Sequence, residues 1–293
     1  MVIYAAGNWL SEDICNKKMQ KNYLSAPLPF IGQKRMMLKP YIEALKSFDD
    51  KTVFVDLFGG SGLLSHTTKR LRPECTVVYN DYDNYSGRID MIPRTNTLLA
   101  ELRALTAGEK KGEKMPPDLK NKVIECIERH EKHGSVDYLT LSSSLVFSGK
   151  NVTDLTSLKK ETLYCKVRQT DYQANGYLDG LTIVCQDYKS LFEEYKNVPS
   201  VVFLVDPPYL NTDCTTYNMS WSLVDYLDVL IVLHNTSYVY FTSSKSSIKE
   251  LCQWIEKNRE IGNPLSEAAY YGYSAHLNYN STYTDMMLYK NSR

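Results

Sequence analysis

The chain has 293 residues, 43% apolar and 23% charged, and its 34 basic and 34 acidic side chains cancel to a formal net charge of zero. That length admits one large domain, or one domain with a sizeable insertion, and the balance is ordinary for a globular fold. It excludes a globally basic nucleic-acid binder, although a local basic groove is sufficient for DNA, and no apolar run nears the roughly 20 residues that a membrane helix needs.

Residues 1–24 read as a polar N-terminal extension without the basic lead of a signal peptide. The seven cysteines are scattered, odd in number and never in a C-x-x-C pair. This argues against a zinc site or a disulfide framework and for a reducing cytoplasm. Tyrosine is abundant, 23 residues against eight phenylalanines, and supplies a stacking face with a polar tip.

In "APLPFIGQKRMMLKPYIEALKSF", Pro27 and Pro29 forbid a helix, Gly32 allows a tight turn, and the apolar spacing from Arg35 onward predicts a helix. Val53 to Leu57 is a short apolar strand. Gly59, Gly60 and Gly62 form a turn, Leu63 to Leu71 a helix, and Thr76 to Tyr79 a second strand that runs into Asn80 and Asp81. Strand, glycine turn, helix, strand and acid make one βαβ unit of a doubly wound sheet. From about 85 to 180 the pattern changes to helical stretches at 95–106 and 118–132, a lysine-bearing loop "GEKKGEKMPPD" and a polar segment at 142–160, with no strand of the parallel sheet. The sheet resumes at "LTIVCQDY", which reaches Asp187, and continues through "VVFLVDPPY" and "SYVYFTSS" with helices between. "YTDMMLYKN" reads as an antiparallel edge strand, and "SEAAYYGYSAHLNYNSTY" as a loop hairpin or plain surface.

The turn "VDLFGGSG" lies between a strand and a helix, where glycines let backbone approach a ligand and N–H groups point outward. Asp81, ending the next strand, is placed to accept hydrogen bonds from ribose hydroxyls. The turn departs from the G-x-G-x-x-G of nicotinamide cofactors, and Asp56 before it would repel a pyrophosphate. An acid there suits a cationic ligand, such as the ammonium and sulfonium groups of S-adenosylmethionine.

The strand 201–205 ends on Asp206, followed by Pro207, Pro208 and Tyr209. Carboxyl ends of parallel strands are where open α/β sheets bind ligands. The Asp206 carboxylate and the Pro207 carbonyl are two acceptors for the two hydrogens of an exocyclic amino group, and Tyr209 is a ring on which a base stacks. Catalysis would then be positioning with partial electrostatic activation, without a metal or a covalent nucleophile. The five histidines are dispersed and pair with no nucleophile pattern, and Ser61 sits in G-G-S-G rather than G-x-S-x-G.

In this order, "PFIGQK" (29–34), "VDLFGGSG" (55–62), "YNDYD" (79–83) and "DPPY" (206–209) resemble the Dam-like, alpha-group DNA adenine-N(6) methyltransferases. The resemblance implies an α/β fold: a Rossmann-like methyltransferase sheet formed by 25–84 and 181–293, with an inserted, mainly helical target-recognition domain at 85–180. It implies S-adenosylmethionine as cofactor and double-stranded DNA as partner. Pro29, Phe30, Gly32 and Lys34 would line the methionine end of the cofactor, and Asp56, Phe58 and Gly59 the methyl-donor turn. Asp81 would take the ribose and Asp187 the adenine, with Asp206, Pro207, Pro208 and Tyr209 as the catalytic motif. "GQK" departs from the more usual G-G-K.

Such an enzyme flips its target base out of the duplex and holds the distorted DNA by its phosphates. The candidates for phosphate contact are Lys34, Arg35, Lys110, Lys111, Lys114, Lys150, Lys159 and Lys160, and Tyr217 and Asn218 are candidates to flank the flipped base. The expectation is a cytoplasmic monomer on DNA, with or without a partner restriction endonuclease. Competing readings are an RNA base amino-methyltransferase and an inactive binder that kept the cofactor fold.

Overall fold

A computed structural model describes residues 22–147, 150–208, 223–243, 246–257, 264–278 and 281–291. A 3-10 turn at Arg35–Met37 leads into α1 (Leu38–Leu45), where Pro40 is tolerated within the first turn. There follow β1 (Val53–Asp56), α2 (Leu63–Leu71) and β2 (Thr76–Asn80). Five helices come next: α3 (Tyr85–Asp90), α4 (Ile92–Leu105), α5 (Pro117–Lys132), α6 (Tyr138–Leu145) and α7 (Leu155–Lys160). The chain then forms β3 (Thr182–Val184), α8 (Tyr188–Tyr195), β4 (Val201–Val205), α9 (Leu223–Leu233), β5 (Ser237–Ser243), α10 (Ile248–Lys257), β6 (Ala269–Asn278) and β7 (Ser281–Lys290).

The seven strands form one sheet in the order β3-β2-β1-β4-β5-β7-β6. The first five are parallel, and β7 pairs antiparallel with both β5 and β6. This is a mixed, mostly parallel α/β sheet, as a Rossmann-like methyltransferase requires. The order reverses at β1 and β4, which open a crevice at their carboxyl ends.

Alternate residues of the central strands feed two separate cores. Phe54, Val77, Val202, Leu204, Val239 and Phe241 face one cluster, and Val55, Val78, Phe203, Val205, Tyr238 and Tyr240 face the other. Burial on both faces is why β1 and β4 read as unbroken apolar runs. The helices between β2 and β3 share the first cluster: Leu99, Val123, Leu141 and Leu158 belong to the same buried set as Phe54 and Leu28. Among its described residues this segment adds no strand to the sheet, and its extended contacts are the isolated bridges Lys114↔Tyr164 and Val146↔Leu163.

Two expectations for the C-terminus need correction. The last strand is internal, because β7 inserts between β5 and β6. The stretch 266–283 is a surface hairpin as expected, but a stranded one rather than a loop: it supplies β6, the true edge strand, and the first residues of β7. Its tyrosine-rich, polar sequence with Gly272 mimics a loop, since only one side of an edge strand needs a partner. No described helix is long and apolar enough to cross a membrane.

Candidate active site

The parallel register sets the acids side by side. Asp56 pairs with Leu204 of β4 and with Tyr79 of β2, so Asp206 and Asp81 lie two residues beyond the level of Asp56 on its two neighbours. Asn80 ties the strand ends together. Its Nδ2 donates to the carbonyls of Leu57 (3.0 Å) and Gln186 (2.9 Å), and its Oδ1 accepts from the Gln186 amide at 2.9 Å.

Asp56 is buried, and its Oδ2 accepts from the Ser65 hydroxyl of α2 at 2.6 Å. Its Oδ1 is buried without a hydrogen-bond partner among the described residues. Burial pushes the carboxyl up to about 7, and the charge of Asp206 adds to that; the Ser65 hydroxyl, the Phe58 amide and Lys34 act in the opposite direction. An orphaned buried acceptor at the crevice fits a cationic donor group, such as the ammonium of S-adenosylmethionine.

The glycine turn is shaped by what presses on it. A Cβ on Gly59 would lie 2.3 Å from the Tyr79 ring and 2.7 Å from the Asn80 carbonyl, so no larger residue fits. Gly62 starts α2 with φ of 70°, a left-handed conformation that favours glycine. The Tyr79 hydroxyl lies 2.8 Å from the Gly60 carbonyl and 3.0 Å from Asp81 Oδ1. From the end of the helical segment, the Tyr177 hydroxyl donates to the Ser61 carbonyl at 2.9 Å, and its ring stacks on His66 at 4.8 Å. The Phe58 ring packs against Tyr188 at 4.8 Å, making an aromatic wall beside Asp187.

The loop 29–34 is pinned by α3. The Tyr85 hydroxyl bonds both the amide and the carbonyl of Leu28, at 2.9 and 3.1 Å. Arg88 donates to the Pro29 carbonyl (2.9 Å) and pairs with Asp137, the N-cap of α6, at 3.1 Å. The Phe30 ring meets Tyr85 edge-on at 5.6 Å. Gln33, where the usual pattern has glycine, has a local role: its Oε1 accepts from the Ala26 amide at 3.0 Å and closes the loop.

Lys34 turns inward. Its Nζ lies 2.5 Å from Asp206 Oδ2 and donates to the Gly32 carbonyl at 2.9 Å. Burial raises the Asp206 carboxyl, Lys34 draws it back down, and Asp285 of β7 raises it again. Lys34 therefore serves the acid, whereas a phosphate contact needs an ammonium offered to solvent. Gly32 is exposed, and Pro207 and Pro208 follow Asp206 with Pro207 buried.

Asp81 also differs from its expected surroundings. Its carboxylate accepts from the Tyr79 hydroxyl, the Tyr85 amide (2.6 Å), the Ser86 amide (2.9 Å) and the Ser86 hydroxyl. Three protein donors, and a fourth hydrogen that Tyr79 shares with the Gly60 carbonyl, take up most of the roughly four lone-pair sites of a carboxylate. In this structure Asp81 caps the start of α3, so a ribose would have to displace one of these donors. Asp187 is exposed and caps α8 through the Lys189 and Ser190 amides at 2.9 and 3.4 Å.

Arg35, Lys110, Lys111, Lys114, Lys150, Lys159 and Lys160 are exposed. Three of them hold local acids: Lys110 with Glu113, Lys150 with Glu161, and Lys159 with Glu128, at 2.7, 2.7 and 2.5 Å. Tyr209, Tyr217 and Asn218 lie outside the described residues. Tyr79 opens the YNDYD motif without being given a role there, and the motifs do not reach Tyr85, Arg88 or Tyr177. Their signal was the tyrosine excess itself, since all three tyrosines are among the largest fully buried side chains.

No protein-family model matches the chain. A Haemophilus influenzae protein named "Putative methyltransferase" is 37% identical to it over 249 residues, covering 82% of this chain and 83% of that protein. The chain belongs to that methyltransferase family. In this methyltransferase, the acids and glycines above therefore lie where the sheet of a group-transfer enzyme opens its crevice.

Proposed function

We propose that this methyltransferase is a site-specific DNA methyltransferase that moves a methyl group from S-adenosylmethionine to the exocyclic 6-amino group of adenine in duplex DNA. The observation that carries the reading is the adjacency of Asp56, at the end of β1, to the Lys34–Asp206 pair at the end of β4. A site for a cationic methyl donor and an acceptor for an amino group thereby share one crevice.

When bound, S-adenosylmethionine supplies an electrophilic methyl group on sulfonium sulfur. The chain's own residues do the rest. Asp56 Oδ1 accepts from the ammonium end, and the Phe58–Tyr188 wall offers a face for a planar ring. Asp206 and the Pro207 carbonyl would accept the two N–H hydrogens of the target, which orients the nitrogen lone pair away from them; as the N–C bond forms and the S–C bond breaks to leave a neutral thioether, the nitrogen would give up one of these protons through Asp206 to water. Lys34 draws the Asp206 carboxyl down against the effect of burial, which favours the ionised, acceptor form. Exposed Arg35 and the lysines at 110, 111, 114, 150, 159 and 160 are the candidates to hold phosphates. The helical segment 85–180 is the candidate to read the sequence.

The test is direct. The protein is incubated with duplex DNA and methyl-labelled donor, and the DNA is digested to nucleosides. Label in N(6)-methyladenine is expected. Label in cytosine, or label only when RNA replaces DNA, would overturn the reading. Asp206→Ala should abolish turnover while cofactor binding persists.

A further inference from the structure

The helical segment holds a second group of reactive side chains, distinct from the crevice. Cys126 and His130 are four residues apart on α5 and so share one helix face. Glu101 of α4 packs against that face. Its Oε1 lies 2.9 Å from His130 Nε2, and its Oε2 accepts from the Cys126 thiol at 3.4 Å. One ligand atom from each of the three residues lies within 4.8 Å of the other two. The Cys126 end is buried, while the side chains of His130 and Glu101 are 13% and 40% exposed, which leaves a path from solvent.

We propose that Glu101, Cys126 and His130 form a zinc site that staples α4 to α5. The donor set is one thiolate, one imidazole and one carboxylate, which suits Zn²⁺ with a water in the fourth position. Zinc bonds of about 2.3 Å to sulfur and 2.0–2.2 Å to nitrogen and oxygen set tetrahedral ligand atoms roughly 3.3–3.7 Å apart. The 2.9 and 3.4 Å separations run to different oxygens of Glu101, and the three ligand atoms lie within 4.8 Å of one another, so closing on one ion takes a contraction of about an ångström, which rotation of the partly exposed Glu101 and His130 side chains supplies. On binding, the Cys126 thiol releases its proton to water, His130 binds through Nε2 and keeps its proton on Nδ1, and Glu101 binds as the carboxylate.

Two features oppose an ion, and both yield to one. Burial, with Glu101 beside it, pushes the Cys126 thiol up to about 11, but direct coordination deprotonates a thiol outright. Arg129 pairs with Glu101 and has Nη2 3.5 Å from Cys126 Sγ; its side chain is 60% exposed and can swing into water. The cysteines are scattered, odd in number and without a C-x-x-C pair, the pattern by which zinc sites are read from sequence. That pattern does not anticipate a helical C-x-x-x-H completed by a residue from another helix.

The test uses untagged, full-length protein stripped with a chelator and titrated with Co²⁺, then Zn²⁺. One equivalent of Co²⁺ should raise an intense near-ultraviolet thiolate-to-cobalt band, and one equivalent of Zn²⁺ should bleach it. At a hundredfold excess over Kd, Zn²⁺ should raise Tm by roughly 5 °C. Cys126→Ser should remove the band. Because Cys126 is buried, Glu101→Gln at a partly exposed position is the second variant, expected to keep its fold and to bind at least about tenfold more weakly. A wild-type titration without the thiolate band, or equal affinity in wild type and Glu101→Gln, would overturn the proposal.

Discussion

Lys34 Nζ sits 2.5 Å from Asp206 Oδ2, joining the loop before α1 to the end of β4 through two side chains that are only 10% and 17% exposed. Residues 172 positions apart in sequence thus share one charge environment. Burial pulls the Asp206 carboxyl up, and Lys34 is the largest influence holding it down.

Replacing Lys34 by Met keeps the aliphatic stem and removes the charge. The Asp206 carboxyl then rises further, a smaller fraction is ionised at neutral pH, and the acceptor is lost to protonation. Methyl transfer at pH 7 should fall and should recover partly at higher pH, as the raised carboxyl ionises again. A pH–rate profile of the variant checks this; an equal loss at every pH would argue that Lys34 acts only by contact.

Asp56 predicts opposite pH trends for ligand binding and for stability. Its carboxyl, raised by burial to about 7, must ionise to receive a cation. Cofactor affinity should therefore strengthen by roughly tenfold from pH 6 to pH 8. Without ligand the sign reverses. The folded state binds the proton more tightly than the unfolded chain, so this contribution is fully present below about pH 4 and is lost as pH rises through about 7, at most ~4 kcal/mol. Asp56→Asn should flatten both trends. Calorimetric titration and urea unfolding at pH 5, 6 and 8 read them out, and a pH-independent affinity would contradict the assignment.

Gly59→Ala tests the close approach of the turn to β2. The added Cβ would lie 2.3 Å from the Tyr79 ring and 2.7 Å from the backbone carbonyl of Asn80. The ring can shift but the strand carbonyl cannot, so overpacking should cost about 1–3 kcal/mol. The urea midpoint should fall by the equivalent amount, and cofactor affinity should fall with it as the turn moves.

Arg88→Met removes the cation that joins Pro29, α3 and Asp137. Asp137 stays buried with its cap bonds to Thr140 but without a counter-charge. Breaking one side of a buried pair costs about 3–5 kcal/mol, so Tm should drop by roughly 5–10 °C. The loop 29–34 should loosen too, which a rise in proteolytic cutting near Phe30 would report. An unchanged Tm would show that the pair contributes little.

The catalytic half of the molecule was legible in the sequence because its signals are local. Val53–Leu57 and Val201–Val205 are apolar runs buried on both faces, Gly59 to Gly62 mark a turn, and an acid follows each strand of the crevice. The helix from Leu63 to Leu71 matches its predicted span. The short helices α3, α6 and α7 did not show in the pattern, since six to eight residues carry too little periodicity and rely on caps such as Asp137 and Asp154. β6 was missed because an edge strand has no obligation to alternate.

What the sequence determined by itself is the order of strands, turns and acids, and with it the methyltransferase class of sheet. Only the tertiary structure decided what each acid faces. Asp206 meets Lys34, Asp56 has one oxygen without a partner among the described residues, and Asp81 is drawn into capping α3. Likewise Glu101 reaches Cys126 and His130 only once α4 lies on α5. The reason is physical: strand and turn preferences act between neighbours in the chain, whereas the charge and proton affinity of a buried group depend on residues brought near by packing.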